Sequence, residues 1–295
     1  MTVSEDPVLN RSRTILPKLP DTPLFVAGAL GGPFVIYLLT PLRNALTLAS
    51  QDRHSSMVNI YKKVFSKGFT GGWIGGKYPV LPAIPQFVIL GPMYHFYSSQ
   101  TNPYAALFLT GVTETIFTFG ANSRNSEVAF NSQAPAARQI KQFTKPWQFW
   151  GPGSVAHAGR NTIAMGGMRI LSDPVYEWMS VHTPLWSPIA TKTVADFTAS
   201  MMTGALSMPF NQLFNYYATS IESRTLSLPA RVTMGLTFLR SQYLRRNDQG
   251  NLRVSPIMLR DLVMRSVYAS CLFGIYVTIE RSLVRNWINV PKFLD

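Results

Sequence analysis

Apolar residues in this sequence gather in six segments separated by polar connections. A transmembrane helix needs roughly 20 mostly apolar residues. The segments cover approximately residues 22–48, 78–97, 103–122, 155–171, 188–217 and 256–279. The first two satisfy that requirement easily, whereas the fourth and sixth contain charged residues that must face protein or water. The pattern therefore predicts an all-α membrane protein with six transmembrane helices.

The connections between these segments alternate in charge. Fifteen lysines and arginines follow the first, third and fifth segments, whereas residues 98–103 and 172–191 contain none. Basic loops tend to stay on one side of a membrane. We therefore expect residues 52–77, 123–149 and 222–253 to share one face, with both termini on the other.

Composition narrows the class of protein further. Only 14% of the 295 residues are charged, compared with about 25% in soluble domains. The net charge of +13 is spread between apolar segments, which favours anionic lipid over nucleic acid as a partner. The single cysteine, Cys271, excludes a disulfide framework within the chain. We also expect no metal site, no cofactor and no enzymatic activity, because the four histidines are scattered and no nucleophile–base pair or phosphate-binding loop is present.

Short stretches at the ends of the odd-numbered segments can be aligned with one another. They begin at Thr40, Asn122 and Met208, which are 82 and then 86 residues apart, and the first and third contain Pro41 and Pro209. A proline there would bend the helix, because it lacks an N–H donor and clashes with the preceding turn. Such spacing predicts three internal repeats.

Two glycine patterns accompany the first stretch. Gly28 and Gly32 are four residues apart in the first segment, a spacing that lets helix backbones approach closely. Residues 67–75 then place Gly68, Trp73 and Gly75 after the first segment.

Together these features resemble the mitochondrial carrier family over roughly residues 22–285. Each repeat of that family has a proline motif ending its odd helix, then a loop with a short helix, then a glycine–aromatic–glycine motif. The resemblance implies three pseudo-repeats, approximately residues 22–100, 101–180 and 181–285. Each would hold two membrane helices and a short matrix helix, and a polar arm of residues 1–21 would precede them. It also implies a multi-pass protein of the mitochondrial inner membrane, with the basic loops in the matrix.

The charged residues of the family's matrix gate are missing from this chain. In the family, acidic and basic residues of the proline motifs pair between neighbouring repeats. Here no such acid–base pair remains, although Arg43 with Glu127 could substitute. An apolar plug of Leu46, Val128 and Phe214 would close the matrix side permanently. Such a plug is compatible with a stable fold, because buried ion pairs can be replaced by apolar residues without loss of stability. The gate positions that the resemblance assigns are Pro41, Arg43, Leu46, Asn125, Val128, Pro209, Asn211 and Phe214.

The resemblance also assigns substrate-contact positions on the even helices. Counting seven residues after Gly75 and Gly153 leads to Pro82 and Arg160. The candidates are Pro82, His157, Arg160 and Arg260, with Arg265 as the alternative if the register is shifted. Arginines suit an anionic solute through charge-assisted hydrogen bonds. The alternative is that they pair internally, for example with Glu114 or Asp196, and bind nothing.

Lipid contacts follow from the same resemblance. In the family, an aromatic–basic–glycine motif exposes backbone N–H groups at a helix N-terminus, which bind the phosphates of cardiolipin. The matching candidates here are Trp73, Gly75, Trp150 and Gly153, and the basic residue is absent from both copies. Cardiolipin is the bound lipid that the helix dipole and free N–H groups would favour.

Two functions remain open from the sequence. The first is a carrier-fold protein that has lost transport and serves as an accessory subunit of a respiratory-chain or ATP synthase assembly. Residues 172–191, which are rich in tryptophan and proline, and the arm at 1–21 would contact neighbouring subunits. The second is a solute carrier that exchanges a small anionic metabolite across the inner membrane.

Overall fold

The computed structural model describes residues 22–52, 54–246, 249 and 251–287. The polar arm predicted at residues 1–21 lies outside these residues. The protein is mostly helical, at 80%, as the apolar periodicity of the sequence predicts.

Six long helical segments account for most of the described chain. The first contains α1 (Thr22–Val26), a π-helical turn (Ala27–Gly31), α2 (Gly32–Leu38) and α3 (Thr40–Gln51), and after the short helix α4 (Met57–Val64) the second is α5 (Lys77–Gln100). The third is α6 (Pro103–Asn131), and the fourth contains α7 (Ser154–Gly166), a π-helical turn (Gly167–Leu171) and α8 (Ser172–His182). The fifth is α9 (Pro188–Thr219), and after the short helix α10 (Leu228–Tyr243) the sixth is α11 (Pro256–Trp287).

Not all six segments have the composition of a typical membrane span. Among the described helices, α6 and α11 are long and apolar enough to cross a membrane, and the bent first segment would make a third. The sequence-based expectation that the second segment satisfies this test easily is not met. Helix α5 contains three internal prolines, Pro82, Pro85 and Pro92, and these and its tyrosines lower its hydropathy. The sixth segment does satisfy the test despite its charges.

The six segments form a closed ring. Each packs against the next in chain order, and α11 returns to pack against α1 and the π-turn of the first segment. At one end, α3, α6 and α9 also contact one another. The odd-numbered segments therefore converge at the end where the basic connections begin.

Glycines allow the close approach between neighbouring segments. A Cβ atom added at Gly32 would lie 2.5 Å from the ring of Phe87, and one at Gly28 would lie 2.9 Å from the backbone of Val88. A Cβ at Gly204 would lie 3.0 Å from the backbone of α11. Small residues at these interfaces are what membrane helices use in place of a hydrophobic driving force.

The two aligned prolines have different effects on their helices. The first segment bends by 52° between Leu38 and Thr40, immediately before Pro41. Pro209, in contrast, lies inside the continuous helix α9. The expected proline bend is therefore present in the first segment, while the fifth remains one helix.

The connections differ from the sequence-based expectation in three ways. The second basic connection has no α-helix among its described residues, only a 3₁₀ turn at Ala136–Arg138, so a short helix does not follow every odd segment. The third connection ends in an antiparallel hairpin, β1 (Leu244–Arg246) with β2 (Leu252–Val254). Residues 172–191 are not a loop, because α8 continues to His182 and α9 begins at Pro188.

Candidate functional site

A layer of uncharged polar side chains joins the odd-numbered segments where they converge. Ser126 Oγ donates to Asn215 Oδ1 (3.2 Å), and Thr47 Oγ1 lies within 3.4 Å of both atoms. All three side chains are buried. Hydrogen bonding between buried hydroxyl and amide groups fixes their relative positions, because an unpaired polar group there would be costly. This polar layer closes the axis of the ring at the basic end.

The hydrogen bonds also give the register between the repeats. Thr47 pairs with Asn215, and Gln51 donates to Thr219, both at a separation of 168 residues. That separation equals the distance between Pro41 and Pro209 in the sequence alignment. Thr47 pairs with Ser126 at a separation of only 79 residues, three fewer than the 82 of the alignment. At this contact the middle repeat is offset by three residues from its aligned position, whereas the contact of Asn44 with Asn125, at a separation of 81 residues, is offset by one.

This offset changes which gate candidates lie together. Leu46 and Phe214 line the same small cavity on the axis, and both are almost fully buried. Val128 does not line this cavity; it lies beside Gly75, 3.4 Å from the Cβ position of that residue. Asn125 also lies beside Gly75 and donates to Asn44 Oδ1 (3.2 Å) in the first segment. The predicted apolar plug of three residues is wrong in its second member, and the seal combines two apolar side chains with the polar layer.

Three arginines converge immediately inside this seal. Arg43 donates to Asn122 Oδ1 (3.0 Å) and Tyr268 Oη (2.9 Å). Arg265 donates to Ser207 Oγ (3.0 Å), and its guanidinium group lies 5.4 Å from the centre of the Tyr268 ring. Tyr268 therefore sits between two cations, where its ring face and its hydroxyl group both interact favourably with positive charge.

Arg160 completes this arginine cluster (Arg43, Arg160 and Arg265). Its Nη2 lies 2.7 Å from His157 Nε2, and its Nη1 donates to Asn211 Oδ1 (3.4 Å). A guanidinium group can only donate hydrogen bonds. His157 Nε2 must therefore accept, and this buried histidine is neutral. Asn211, a gate candidate, is thereby brought onto the same cluster.

The candidate pairings with acidic residues are not formed. Glu114 accepts a hydrogen bond from Gln86 (2.6 Å) and makes no ion pair with the arginine cluster, although it interacts electrostatically with all three arginines. Asp196 forms its ion pairs with Lys192 and Arg281 near the other end of the bundle. Within the part of the chain that the structure describes, Glu114 is thus the acidic side chain that interacts with all three arginines of the cluster.

Arg260 lies outside the cluster. Its guanidinium group donates to three backbone carbonyl oxygens at and beyond the end of α3, those of Ala49 (3.0 Å), Asp52 (2.9 Å) and Ser55 (2.8 Å). It also pairs with Asp261. Of the two alternative registers, Arg265 is therefore the residue that lies with Arg160, while Arg260 caps the first segment.

Asp52 stabilises the same corner of the structure. Its carboxylate accepts hydrogen bonds from Ser55 N (2.9 Å) and Ser55 Oγ (2.6 Å) and pairs with Lys63 of α4. Partial burial raises the pKa of Asp52, but hydrogen bonds from Lys63 and Ser55 outweigh burial and hold the pKa below its ordinary value.

Glu127 pairs with a residue that the sequence did not indicate. Its fully buried carboxylate accepts from Thr144 N (2.8 Å) and Arg224 Nη2 (2.5 Å). Arg43 is engaged with Asn122 and Tyr268, so the substitute pair of Arg43 with Glu127 is not formed. The Glu127–Arg224 pair connects the end of α6 to a 3₁₀ turn after α9, Glu222–Arg224. It is therefore a second contact between odd-numbered segments at the basic end.

The remaining candidates lie on the connections and on α5. Pro82 is half-buried inside α5 and contributes no polar group. Gly75 and Gly153 both adopt a left-handed backbone conformation, with φ of 81° and 90°, shortly before α5 and α7 begin. Trp73 Nε1 donates to Tyr37 O (2.9 Å), whereas Trp150 is exposed. The two lipid candidates therefore share their backbone geometry but not the role of their tryptophan.

Sequence reasoning did not identify the uncharged partners at this site. The missed residues are Thr47, Asn122, Ser126, Asn215 and Tyr268. In the sequence these residues stand out only as polar side chains within apolar segments. That pattern is weak evidence for a site, because threonine, serine and tyrosine are common in such segments. No protein-family model and no curated protein matches this chain.

Proposed function

We propose that this chain is a carrier-like membrane protein of six spans in three pseudo-repeats, located in the mitochondrial inner membrane. The closed ring of six segments supports this, together with the convergence of the odd segments beside the basic connections. The separation of 168 residues between hydrogen-bonded partners supports a repeat. Segments of lower hydropathy can still span a bilayer when their polar residues face protein, as Arg160 and Asp196 do.

The proposal includes the loss of alternating transport. Alternating access needs two states whose free energies are close enough for a substrate to shift their balance. Here the axis is closed by the polar layer, by the packed side chains of Leu46 and Phe214, and by the Glu127–Arg224 pair. The cavity left between these groups is about 10 Å³. The polar layer across all three odd segments is the observation that carries this part of the proposal.

The role that fits a closed carrier-like bundle is that of an accessory subunit in a respiratory-chain or ATP synthase assembly. The end opposite the basic connections has a patch of exposed large apolar side chains. We call it the aromatic end patch, and it consists of Trp178, Val181, Leu185, Trp186 and Ile189. Leu185 is 97% exposed. Helix α9 has 32 residues, or roughly 48 Å at 1.5 Å per residue, so the ends of the bundle extend past a hydrocarbon core of about 30 Å. Exposed aromatic residues outside the apolar core suit a protein contact.

Gentle solubilisation of the native membrane tests this role. We expect the protein to migrate within a large complex, and Trp178→Ala with Trp186→Ala to release it as a folded monomer. Trp147→Ala is the matched control, because Trp147 is 77% exposed in a basic connection at the other end and should leave the complex intact. Migration of the wild-type protein as a free monomer that retains cardiolipin would refute the accessory role.

A second candidate is a solute carrier for a small anionic metabolite, and the arginine cluster favours it. Arginines bind carboxylates and phosphates through parallel hydrogen bonds, and three of them point to one place here. Reconstituted protein tests this candidate with nucleotides, phosphate, and di- and tricarboxylates. The accessory role predicts no exchange. Exchange that is lost in Arg160→Ala would establish the carrier instead.

A further inference from the structure

The hairpin of the third basic connection extends outward from a fixed base. Tyr243 and Ser255 lie at that base, and both are buried. Ser255 N donates to Tyr243 O (2.8 Å), and Tyr243 Oη donates to Asp261 Oδ2 of α11 (3.2 Å). Beyond this base, all six residues of β1 and β2 are exposed. The two strands are therefore held in place by the bundle and are accessible along their length.

The register of the hairpin places two arginines directly opposite each other. The cross-strand partners are Leu244 with Val254, Arg245 with Arg253, and Arg246 with Leu252. Like charges in opposite positions on neighbouring strands are destabilising. Neither Arg245 nor Arg253, which we call the arginine pair, forms an ion pair with an acidic side chain in the described part of the chain. A carboxylate on an adjacent strand would relieve this repulsion.

Apolar side chains cover the other face of the hairpin. Because successive side chains point to opposite faces of a strand, Leu244, Leu252 and Val254 lie on the face opposite to the arginine pair, together with Arg246. The three apolar side chains are 39%, 57% and 64% exposed. A two-stranded hairpin is at best marginally stable in water without further packing. A partner that covers this face would therefore stabilise the hairpin as well as bind to it.

The outer edge of β2 can accept a further strand. Among the described residues the sheet has two strands, so each of them is an edge strand. The hydrogen bond at the base of the hairpin sets the phase of the antiparallel ladder, in which peptide groups point alternately toward and away from the neighbouring strand. Leu252 and Val254 direct their N–H and C=O groups away from β1. On β1 the N–H of Leu244 already donates to Arg240 O, so β2 is the more open edge.

We propose that the outer edge of β2 binds an acidic, extended segment of a partner protein as a third strand. In that segment an aspartate or glutamate lies opposite Arg253, and the apolar residues on either side of it lie opposite Leu252 and Val254. Main-chain hydrogen bonds supply binding, and the alternating side chains supply specificity. The site is separate from the aromatic end patch, and it does not depend on the accessory role.

Charge decides which strand can bind at this edge. Charged side chains on an edge strand normally oppose pairing with other chains. A second copy of this protein would place arginine against arginine, so the edge rejects self-association. An acidic strand instead supplies the missing counter-charge. An anionic lipid surface would match the arginines but cannot pair with the peptide groups of β2, which favours a strand as the occupant.

Fluorescence anisotropy with the purified full-length protein in detergent tests the proposal. The probe is a labelled peptide in which valine and glutamate alternate, and the control peptide alternates valine and lysine. The glutamate peptide should bind saturably and the lysine peptide should not. Methylation of the amide nitrogens that face β2 should abolish binding, because those N–H groups form the ladder. Absence of binding, or equal binding of the methylated peptide, would overturn the proposal.

Two variants make the test specific to the hairpin. Arg253→Glu should weaken binding of the glutamate peptide by roughly tenfold and create binding of the lysine peptide, because a favourable cross-strand charge pair becomes a repulsive one. Arg240→Glu, which reverses an exposed charge on α10, should keep the preference of the wild type. Equal effects of the two substitutions would exclude the β2 edge as the site. Displacement of the glutamate peptide by phosphatidylcholine vesicles that contain cardiolipin, but not by vesicles without it, would identify a lipid surface as the occupant and refute the strand.

Discussion

Replacing Arg224 by methionine would remove the only cation that pairs with Glu127 in the described residues. Glu127 is fully buried, and its carboxylate keeps two hydrogen bonds from Thr144 after the change. Removing one partner of a fully buried ion pair typically costs 3–5 kcal/mol, because the other charge stays buried. The Arg224 side chain is 27% exposed, so solvent already screens part of the interaction. We therefore expect a loss of about 2 kcal/mol, between the values for a surface pair and a buried pair.

The assay is the thermal unfolding midpoint of the purified protein in detergent. One kcal/mol corresponds to about 2 °C in a chain of this size, so Arg224→Met should lower the midpoint by roughly 4 °C. Arg138→Met is the matched control, since Arg138 is exposed in the second basic connection, and it should change the midpoint by about 1 °C or less.

A double-mutant cycle separates the ion pair from other effects of the substitution. If the pair carries the stability, Arg224→Met should cost little once Glu127→Gln is present, because the charge that needs pairing is gone. Additive effects of the two substitutions would refute the reasoning, and so would equal midpoints for Arg224→Met and Arg138→Met. Either result would mean that the basic end is held by the polar layer and not by this pair.

Three further predictions address packing, pH and topology. In the same melting assay, Gly32→Ala should destabilise the protein by about 1–3 kcal/mol, because the added Cβ atom would overlap the Phe87 ring. The control Gly91→Ala, whose added Cβ atom would lie 3.4 Å from its nearest neighbour, should stabilise the protein by up to about 1 kcal/mol. Asp52→Asn should lower the unfolding midpoint strongly at pH 6 and somewhat less at pH 3, because the stability from a carboxylate with a lowered pKa begins to decline below about pH 4 and is lost only as pH falls through that lowered pKa. Protease added to intact mitoplasts should not cut residues 222–253, and cleavage there without opening the membrane would reverse the proposed topology.

Hydrophobic periodicity alone predicts the helical class and the positions of the long segments. The expected starts of the third, fifth and sixth segments, at Pro103, Pro188 and Pro256, coincide with the helix starts in the structure. Proline is favoured in the first turn of a helix because its missing N–H group is not needed there, so these starts are local signals. The spacing of Gly28 and Gly32 also predicts the close approach of two helices, because a Cβ atom at either position would collide with the neighbouring helix.

Which side chains meet on the axis depends on how the six segments pack against one another. Arg43 was aligned as half of a pair with Glu127, yet it binds Asn122 and Tyr268, 79 and 225 residues away. Arg260 and Arg265 both lie on α11, five residues apart, which places them on different sides of the helix and at different depths. In the middle repeat, Ser126 meets Thr47 and Asn125 meets Asn44, whereas Val128 lies beside Gly75 and not on the axial cavity. Helical periodicity fixes the direction of each side chain relative to its own helix, but the rotation and axial offset of one helix against another follow from packing among all six. For that reason the arginine cluster became visible only in the assembled ring.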